Sequence, residues 1–554
     1  MSRNLSELMG KSGLEKNLFE QIGRKAKDTG TPDVGEMERL AEEFLIGKAN
    51  VFGTASFYDF TRQTNEGKKV YICNGSACLT AGTQPAVMEK LKGHFKEEEI
   101  GEMCCLGRCH ENSAFHYKGH NYSGDAINRL NEIKNLPEVM MDEYRTGHIG
   151  TPILTGDPLT LKNFREILGS CLHTGHESLL NELTVSGLRG RGGAGFPISI
   201  KLDTGRKAEG KSKFIVCNAD EGDPGAYSDR YLLEKHPLKV LLGMMIAGFI
   251  IGADWGVLYI RGEYPESVDT IETAIDQLSR SGLIGENILG SGFKFKFKVV
   301  RGMGAYICGE ETALLNSIEG QRPEVRTRPP FPAVHGLFNR PTIVNNVETL
   351  ACIPWIMRYG GKSYAALGIG RSTGTKLVSL DGHFNRPGIY EVEMGTPLKD
   401  VVQELGGGFN TEIKALHIGG PLGGLIPVHR INDLSVDFES FSTNGFLLGH
   451  ASIVCLPLDF SIMEYLQHLF EFTADESCGK CFPCRLGSKR GAELIEKALK
   501  HNYKIDRQLF RDLIETMEIG SLCALGGGVP LPMRNALMYF DDELKTYFKE
   551  EFAG

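Results

Sequence analysis

The residues with the most chemistry in this chain are its cysteines, of which there are fourteen. Eight fall into two sets of four. Cys478, Cys481 and Cys484 recur at every third position in ESCGKCFPCRLG, and Cys523 stands well downstream. Three thiolates on one short loop can hold three corners of a cubane, and a remote fourth closes it. That is the logic of a [4Fe–4S] site. Structural zinc, which more often uses two separated pairs, is the alternative. Gly479, Pro483 and Gly487 let the backbone wrap closely, and Arg485 can offset the charge of a thiolate-ligated cluster. The second set pairs Cys73 and Cys78 in CNGSACLTAG with Cys105 and Cys109 in CCLGRCH. Two pairs on two loops suit a [2Fe–2S] rhomb, one pair per iron, although the spacing is not the plant-type run. Zinc is again the alternative. Cys104 competes with its neighbour Cys105; Cys105 is preferred because Leu106-Gly107-Arg108 then forms the loop to Cys109. Cys104, Cys171, Cys217, Cys308, Cys352 and Cys455 read as small buried hydrophobes.

A second chemistry lies in GLRGRGGAGF, residues 187–196. Gly187, Gly190, Gly192, Gly193 and Gly195 leave backbone N–H groups unobstructed, so the loop can line an anion, with charge added by Arg189, Arg191 and Lys201. A phosphate-binding loop is expected; a purely structural glycine loop is the alternative. Gly190-x-Gly192-x-x-Gly195 also matches a dinucleotide fingerprint, but HESLLNELTVS before it reads as a helix where that fingerprint needs a strand. In FIVCNADEGDPG, Asn218, Asp220, Glu221 and Asp223 follow an apolar strand directly. The C-terminal end of a strand is where α/β folds bind ligands, though the same residues also form turns. GAYICGEETALL contributes Tyr306 and Gly309 and places Glu310 and Glu311 at a helix start, where they can also simply satisfy the helix dipole. TRPPFPAVHGLFNRPTIVNNVETL adds Phe331, Asn345 and Asn346.

Elements must position these groups, and the composition permits several cores. Hydrophobic residues make up 41% and charged residues 24%, as in ordinary globular chains. The length of 554 residues suggests three or four domains. A net charge of −9 argues against nucleic-acid binding. The longest apolar run, Val240 to Ala253, is too short to span a bilayer and reads as a buried core helix. The opening MSRNLSELMGKSGLEKN lacks the apolar stretch of a secretory signal. The expectation is a soluble, cytoplasmic protein without direct membrane insertion.

Residues 1–65 are expected to be helical, with stripes at Leu14, Leu18, Ile22 and at Met37, Leu40, Ala41, Leu45, broken at Thr29-Gly30-Thr31-Pro32-Asp33. Residues 66–135 read as a compact α/β unit carrying the first cysteine set. Residues 136–160, with Pro137, Gly147, Gly150, Pro152, Gly156 and Pro158, read as a linker. From 161 to about 350 strands at Phe214–Cys217, Val257–Arg261 and Phe293–Val300 alternate with helices, so α/β layering follows. A small block of strands and a helix occupies 370–440, and helical periodicity dominates from 445.

Together, GLRGRGGAGF, CNADEGDPG, GAYICGEETALL, RPPFPA, PTIVNNVET and SCGKCFPCRLG with Cys523 closely resemble the NADH-binding flavoprotein subunit of respiratory complex I and its relatives in NAD-linked hydrogenases and formate dehydrogenases. The first 135 residues, including GKANVFGTASFYDF, resemble the thioredoxin-like [2Fe–2S] subunit of the same systems, here fused. The resemblance implies a multidomain α/β chain. An N-terminal helical segment (1–65) and a thioredoxin-like ferredoxin domain (66–135) would precede the linker (136–160). A Rossmann-like FMN- and NAD(H)-binding domain (161–355), a ubiquitin-like β-grasp domain (356–444) and a helical bundle around the [4Fe–4S] cluster (445–554) would follow.

It further implies FMN held by the Gly187–Gly195 loop, Lys201, Asn218, Asp220, Asn345 and Asn346. Phe196 and Phe331 would flank the dinucleotide, Glu221 would lie by the nicotinamide, and Glu310 and Glu311 near the adenosine. Arg189, Asp223, Tyr306 and Gly309 complete the expected set. A carboxylate beside the ribose favours NADH over NADPH. Thr204 stands where relatives often have an aromatic residue, and Arg328 where they often have lysine. The implied activity is hydride exchange between NAD(H) and FMN, then single-electron transfer through both clusters to or from a catalytic or iron–sulfur partner subunit of hydrogenase, formate dehydrogenase or transhydrogenase type. The hydride step needs no proton-transferring side chain; Glu221 is the expected residue for tuning nicotinamide binding. A zinc-stabilised scaffold, an NADPH-specific enzyme and a stand-alone diaphorase are the competing readings.

Overall fold

The structure is a computed structural model that describes residues 13–15, 17–29, 32–135 and 143–549. Gly30 and Thr31 of the expected helix break, Pro137 of the expected linker, and residues 1–12 and 550–554 lie outside the described residues. No helix among the described residues is long and apolar enough to cross a membrane.

The first cysteine unit is a four-stranded sheet in the order β2-β1-β3-β4. Its strands are β1 (Val70–Cys73), β2 (Ile100–Met103), β3 (Phe115–Tyr117) and β4 (His120–Tyr122). β1 and β2 are parallel neighbours with Cys73 opposite Met103. Both cysteine loops therefore leave the same edge of the sheet, which brings two pairs distant in sequence to one place.

β5 (Thr146–Ile149) comes from the segment expected to be a linker, and it pairs in parallel at the edge of a sheet formed much later in the chain. The following turn is pinned by opposite charges. The Glu391 carboxylate accepts backbone N–H bonds from Ile153, Leu154 and Thr155 at 2.8–3.0 Å. Lys239 Nζ donates to the carbonyls of Ile153 and Leu154 at 3.1 Å. Gly and Pro punctuation marked this stretch as loop, yet its backbone groups bond two buried side chains.

The central sheet is fully parallel, in the order β8-β7-β6-β9, with β6 (Phe214–Ala219), β7 (Trp255–Ile260), β8 (Lys296–Arg301) and β9 (Thr342–Asn346). Ile215, Cys217, Leu258 and Ile260 face the apolar Pro237–Ile251 helix, which is buried around most of its circumference. A Cβ on Gly243 of that helix would lie 1.9 Å from the Leu350 carbonyl, so only glycine allows the neighbouring Val347–Tyr359 helix this close. On the other face Phe214, Val216, Val257, Tyr259 and Val300 pack against Leu18, Phe19, Ile22, Met37, Leu40 and Val51 from the N-terminal helices. The N-terminal segment is thus the second helical layer of the central sheet. Leu45, expected in its apolar stripe, is 81% exposed instead. It lies past the end of the Val34–Glu43 helix with φ at +53°.

The fourth unit is a mixed sheet in the order β13-β12-β14-β10-β11-β5. Its later strands are β10 (Thr375–Leu380), β11 (Gly388–Glu393), β12 (Ile413–Ile418), β13 (Gly424–Pro427) and β14 (Ser452–Pro457). β14 lies beyond the expected boundary at 444 and fills the centre of the sheet, so this unit reaches to Pro457, inside the segment read as helical. The helices Ile462–Asp475, Phe482–His501, Arg507–Gly520 and Pro530–Tyr539 then enclose Leu466, Phe470, Ile495, Phe510, Ile514 and Met533. Ser461 and Asp506 cap two of them through their side chains.

Candidate flavin and iron–sulfur site

The first four cysteines form a chain of contacts. Cys73 touches both Cys78 and Cys105, and Cys105 Sγ lies 3.4 Å from Cys109 Sγ. Of the adjacent pair, Cys105 is the residue that makes these contacts. A zinc tetrahedron with Zn–S bonds of about 2.3 Å would hold all four sulfurs mutually close. Among the described residues, however, Glu221, Asp229 and His450 form the only group of three or more metal-type ligands within 4.8 Å of one another. An elongated row of two pairs fits a two-iron rhomb. The Gly107 N–H donates to Cys105 Sγ at 3.4 Å and the Gly225 N–H to Cys109 Sγ at 3.2 Å. Contact with Cys105 and burial push the Cys109 thiol well above its ordinary value. Such a thiol stays protonated until a metal takes the proton's place.

The second set surrounds the start of the Phe482–His501 helix. Cys481 precedes that helix, Cys484 sits in its first turn and Cys523 precedes the short Ala524–Gly528 helix. Burial raises Cys484 to about 11 and Cys523 to about 12. Ser477 Oγ lies 3.4 Å from Cys484 Sγ. A Cβ on Gly526 would approach that sulfur to 3.0 Å, so bare backbone is required beside the ligand. Cys484 touches Cys481 and lies near Cys478 and Cys523, and no three of these sulfurs gather within 4.8 Å of one another as they would around a single ion.

Between the two sets lies the C-terminal edge of the central sheet. β6 and β9 run in register with Cys217 opposite Asn345 and Asn218 opposite Asn346. There the Asp220 Oδ2 acceptor and the Asn345 Nδ2 donor are buried without a protein partner. Burial pushes the Asp220 carboxyl well above the carboxylate range. Each is a buried polar group that a bound cofactor carrying both donors and acceptors, as FMN does, can satisfy. Asn218 Nδ2 donates to the Gly309 carbonyl at 2.7 Å, and Tyr306 OH to Asp223 at 2.6 Å.

The glycine loop joins two helices, His176–Ser186 and Ile198–Lys207, so it is not a strand–turn–helix fingerprint. Its tip rests on two neighbours. A Cβ on Gly192 would lie 3.0 Å from Asn346 Cβ, and one on Gly193 would lie 3.7 Å from Gly449. The rings of Phe196 (52% exposed) and Phe331 (56%) stand open to solvent. Exposed rings offer flat faces on which another ring can stack.

The cations expected to serve an anion are engaged by protein. Arg189 donates to the Gly195 carbonyl at 2.6 Å, pairs with Glu439 at 2.6 Å and stacks on Phe438. Arg191 is buried, bonding Tyr364 OH and the Thr373 carbonyl. Lys201 bonds Glu311 and the Val344 carbonyl. The glycine backbone is what remains for a phosphate. Glu310 accepts N–H bonds from Thr312 and Ala313 and so caps its own helix, while Glu311 faces Lys201 and Arg328. Thr204 bonds the Ile200 carbonyl of its own helix. Glu221, expected beside the nicotinamide, turns inward. It is 4% exposed and its carboxylate accepts from the N–H groups of Asp229 and Arg230.

Comparison with known proteins gives four family matches in chain order. They are a thioredoxin-like [2Fe–2S] ferredoxin over 26–134, the Nuo51 FMN-binding domain over 183–355, an SLBB domain over 377–422, and the NADH-ubiquinone oxidoreductase-F iron–sulfur binding region over 464–547. The NADP-reducing hydrogenase subunit HndC of Solidesulfovibrio fructosivorans is 41% identical over 393 residues, 68% of this chain and 79% of that one. An NADH-quinone oxidoreductase subunit of Rhizobium meliloti is 40% identical over 368 residues, 66% of this chain and 87% of that one. The chain belongs to this NADH-oxidoreductase flavoprotein family. A chain of an NAD+-reducing [NiFe]-hydrogenase in the air-oxidized state superposes with a TM-score of 0.85 at 27% identity, covering 98% of this chain and 96% of that one.

As a member of the family, the protein is an FMN-dependent oxidoreductase subunit that takes NAD(H) as substrate and carries a [2Fe–2S] and a [4Fe–4S] cluster. Several residues packed around these groups carry no sequence signal. Asp229 and His450 carry no motif. Arg261 donates to the Glu221 carbonyl at 2.6 Å. Glu476, two residues before Cys478, accepts the Tyr306 N–H at 2.8 Å. In each case the partner is remote in sequence, and spacing carries no signal of it.

Proposed function

We propose that this chain is the NAD(H)-facing subunit of a cytoplasmic hydrogenase-type assembly. In this reading Asn218, Asp220, Asn345 and the glycine loop hold FMN, and the two cysteine quartets hold its electron partners. The observation that carries the reading is a single loop. The segment after β6 offers the unpaired Asp220 to the cleft and, five residues on, the Gly225 N–H to the [2Fe–2S] ligand Cys109. Bound flavin supplies the exchange between paired and single electrons that joins a hydride donor to iron–sulfur clusters. Asp220 and Asn345 orient the ring edge, Phe196 and Phe331 hold the dinucleotide by ring contact, and the bare glycines admit the phosphate. The hydrogenase assignment is supported by the near end-to-end likeness to the NAD+-reducing hydrogenase chain and by the HndC relative. The cytoplasmic placement rests on cysteines that are all free.

A second reading, specificity for NADPH, draws on Arg328. Its guanidinium lies 3.2 Å from Glu311 and 3.7 Å from Glu310, and a ribose 2′-phosphate would have to draw it away from these carboxylates. One experiment tests both. Anaerobically purified chain should contain about six iron, about six sulfide and about one FMN. It should reduce a one-electron dye faster with NADH than with NADPH. Zinc without sulfide or flavin would overturn the proposal, and the reverse nucleotide preference would establish the second reading.

A further inference from the structure

Glu221, Asp229 and His450 come from three elements and meet in the interior. Glu221 follows β6, Asp229 lies in the first turn of the Ser228–Lys235 helix, and His450 lies just before β14 of the mixed sheet. His450 Nε2 lies 3.3 Å from Asp229 Oδ2, and Nδ1 lies 3.7 Å from Glu221 Oε1. The two carboxylates thus face opposite nitrogens of one ring. A metal ion takes one imidazole nitrogen and draws its ligands around a point. Two carboxylates on opposite nitrogens are the geometry of an imidazolium, in which both nitrogens carry hydrogen.

The cluster is also attached to the flavin cleft. Asn346 Nδ2 donates to Asp229 Oδ2 at 2.6 Å, and Asn346 is the residue against which Gly192 packs. Gly193 packs on Gly449, the neighbour of His450. The tip of the glycine loop therefore rests on the cluster from two sides. Asp229 Oδ1 is buried without a partner, so the site holds an excess of acceptor.

We propose that His450 is a positioning residue of the flavin site, an imidazolium that bridges Glu221 and Asp229 and thereby seats Asn346 and the glycine loop. This rests on the flavin reading above and adds a residue from a different domain to it. The groups facing the ring are Asp229, Glu221 and Asp223 from the flavin domain, Lys376 from β10, the Ser228 hydroxyl 3.4 Å from Nδ1 and the Asn346 Nδ2 amide 3.4 Å from Nε2. Lys376 is itself paired with Glu348. Burial opposes charge on His450, but Asp229 and Glu221 outweigh it and hold the ring at about 9. Burial, reinforced by Asp229, lifts Glu221 to about 7. Both groups are raised above their unfolded values. The protonated cluster therefore stabilises the fold at low pH, and that contribution is lost as pH rises through about 7 to about 9.

The test uses the full chain, with FMN affinity and the flavin midpoint potential measured between pH 6 and 9.5. His450→Gln should weaken FMN at least about tenfold at pH 7, because two buried carboxylates lose their counter-charge. Adding Asp229→Asn to His450→Gln restores the charge count and should recover affinity to within about threefold of the parent. The parent should lose affinity between pH 7 and 9, and His450→Gln should not. Flavin binding unchanged in His450→Gln would overturn the proposal, as would a double variant no better than the single one. Metal beyond the cluster iron that disappears with His450 would replace the imidazolium by a cation. Absence of flavin from the parent chain would overturn the underlying reading as well, and so separates the two failures.

Discussion

At the scale of single residues, function here depends on where side chains are missing as much as where they are present. Gly526 shows it most plainly: its added Cβ would meet Cys484 Cβ at 2.5 Å and Sγ at 3.0 Å. Gly526→Ala should therefore displace one ligand of the second quartet. The expected result is loss of about four of about six iron atoms, with the spectrum of the two-iron cluster intact. Low-temperature electron paramagnetic resonance of the reduced protein reads both signals; retention of both clusters would refute the placement. The cysteine quartets could be proposed from the sequence because ligation demands one residue type at fixed intervals, Asn218 and Asp220 because polar residues follow an apolar strand, and Asn345 through the family resemblance. Glu221 follows the same strand, but its carboxylate turns inward. Only the fold reveals that the Ser228–Lys235 helix begins beneath that carboxylate and captures it. His450 was invisible: its partner Asp229 lies 221 residues away and neither belongs to a motif.

At the scale of elements, the stretch leading into the central domain behaves as a strap. β5 adds an edge to a sheet whose other strands begin at Thr375, and Glu391 gathers the backbone donors of residues 153–155 together with the hydroxyls of Thr155 and Thr375. Glu391→Gln replaces one acceptor oxygen by an N–H group aimed at other donors. A stability loss of about 1–3 kcal/mol is expected, read as a lower urea midpoint at unchanged slope; no shift would mean that water already serves these donors. The sequence misread this strap because Gly147, Gly150, Pro152 and Gly156 punctuate a pinned turn as they punctuate a free one. It missed β14 because SIVCLP is a short continuous apolar run, and such a run does not distinguish a central strand from a buried helix. The long, strongly patterned elements were read correctly, among them the His176–Ser186 and Pro237–Ile251 helices.

At the scale of the molecule, the order of units along the chain was legible, but not their nesting. The N-terminal helices read as a separate segment; in the structure they roof the central sheet. Tyr58 OH donates to Ser317 Oγ at 2.8 Å, Thr54 Oγ1 to the Gly320 carbonyl at 3.2 Å, and the Phe60 N–H to the Met303 carbonyl at 3.0 Å. Hydrophobic periodicity tells which face of a helix is buried but not what buries it. A chain beginning at residue 66 would expose Phe214, Val216, Val257, Tyr259 and Val300 together. It should aggregate or bind an apolar dye strongly, while the cysteine unit within it retains its sheet. A soluble, dye-silent truncated chain would show that this face has another cover.

That roof also imposes an order of events during synthesis. The Asn17 side chain bonds the Ile318 carbonyl, 301 residues later. At about 5–20 residues per second, the helices leave the ribosome roughly 15–60 s before their partner exists. The cysteine unit, by contrast, pairs all four of its strands within residues 70–122. Gly225 follows Cys109 by 116 residues, roughly 6–23 s at the same rate; until it and its neighbours arrive, the proposed two-iron site is folded but not yet covered by the flavin domain, which opens a window for cluster delivery.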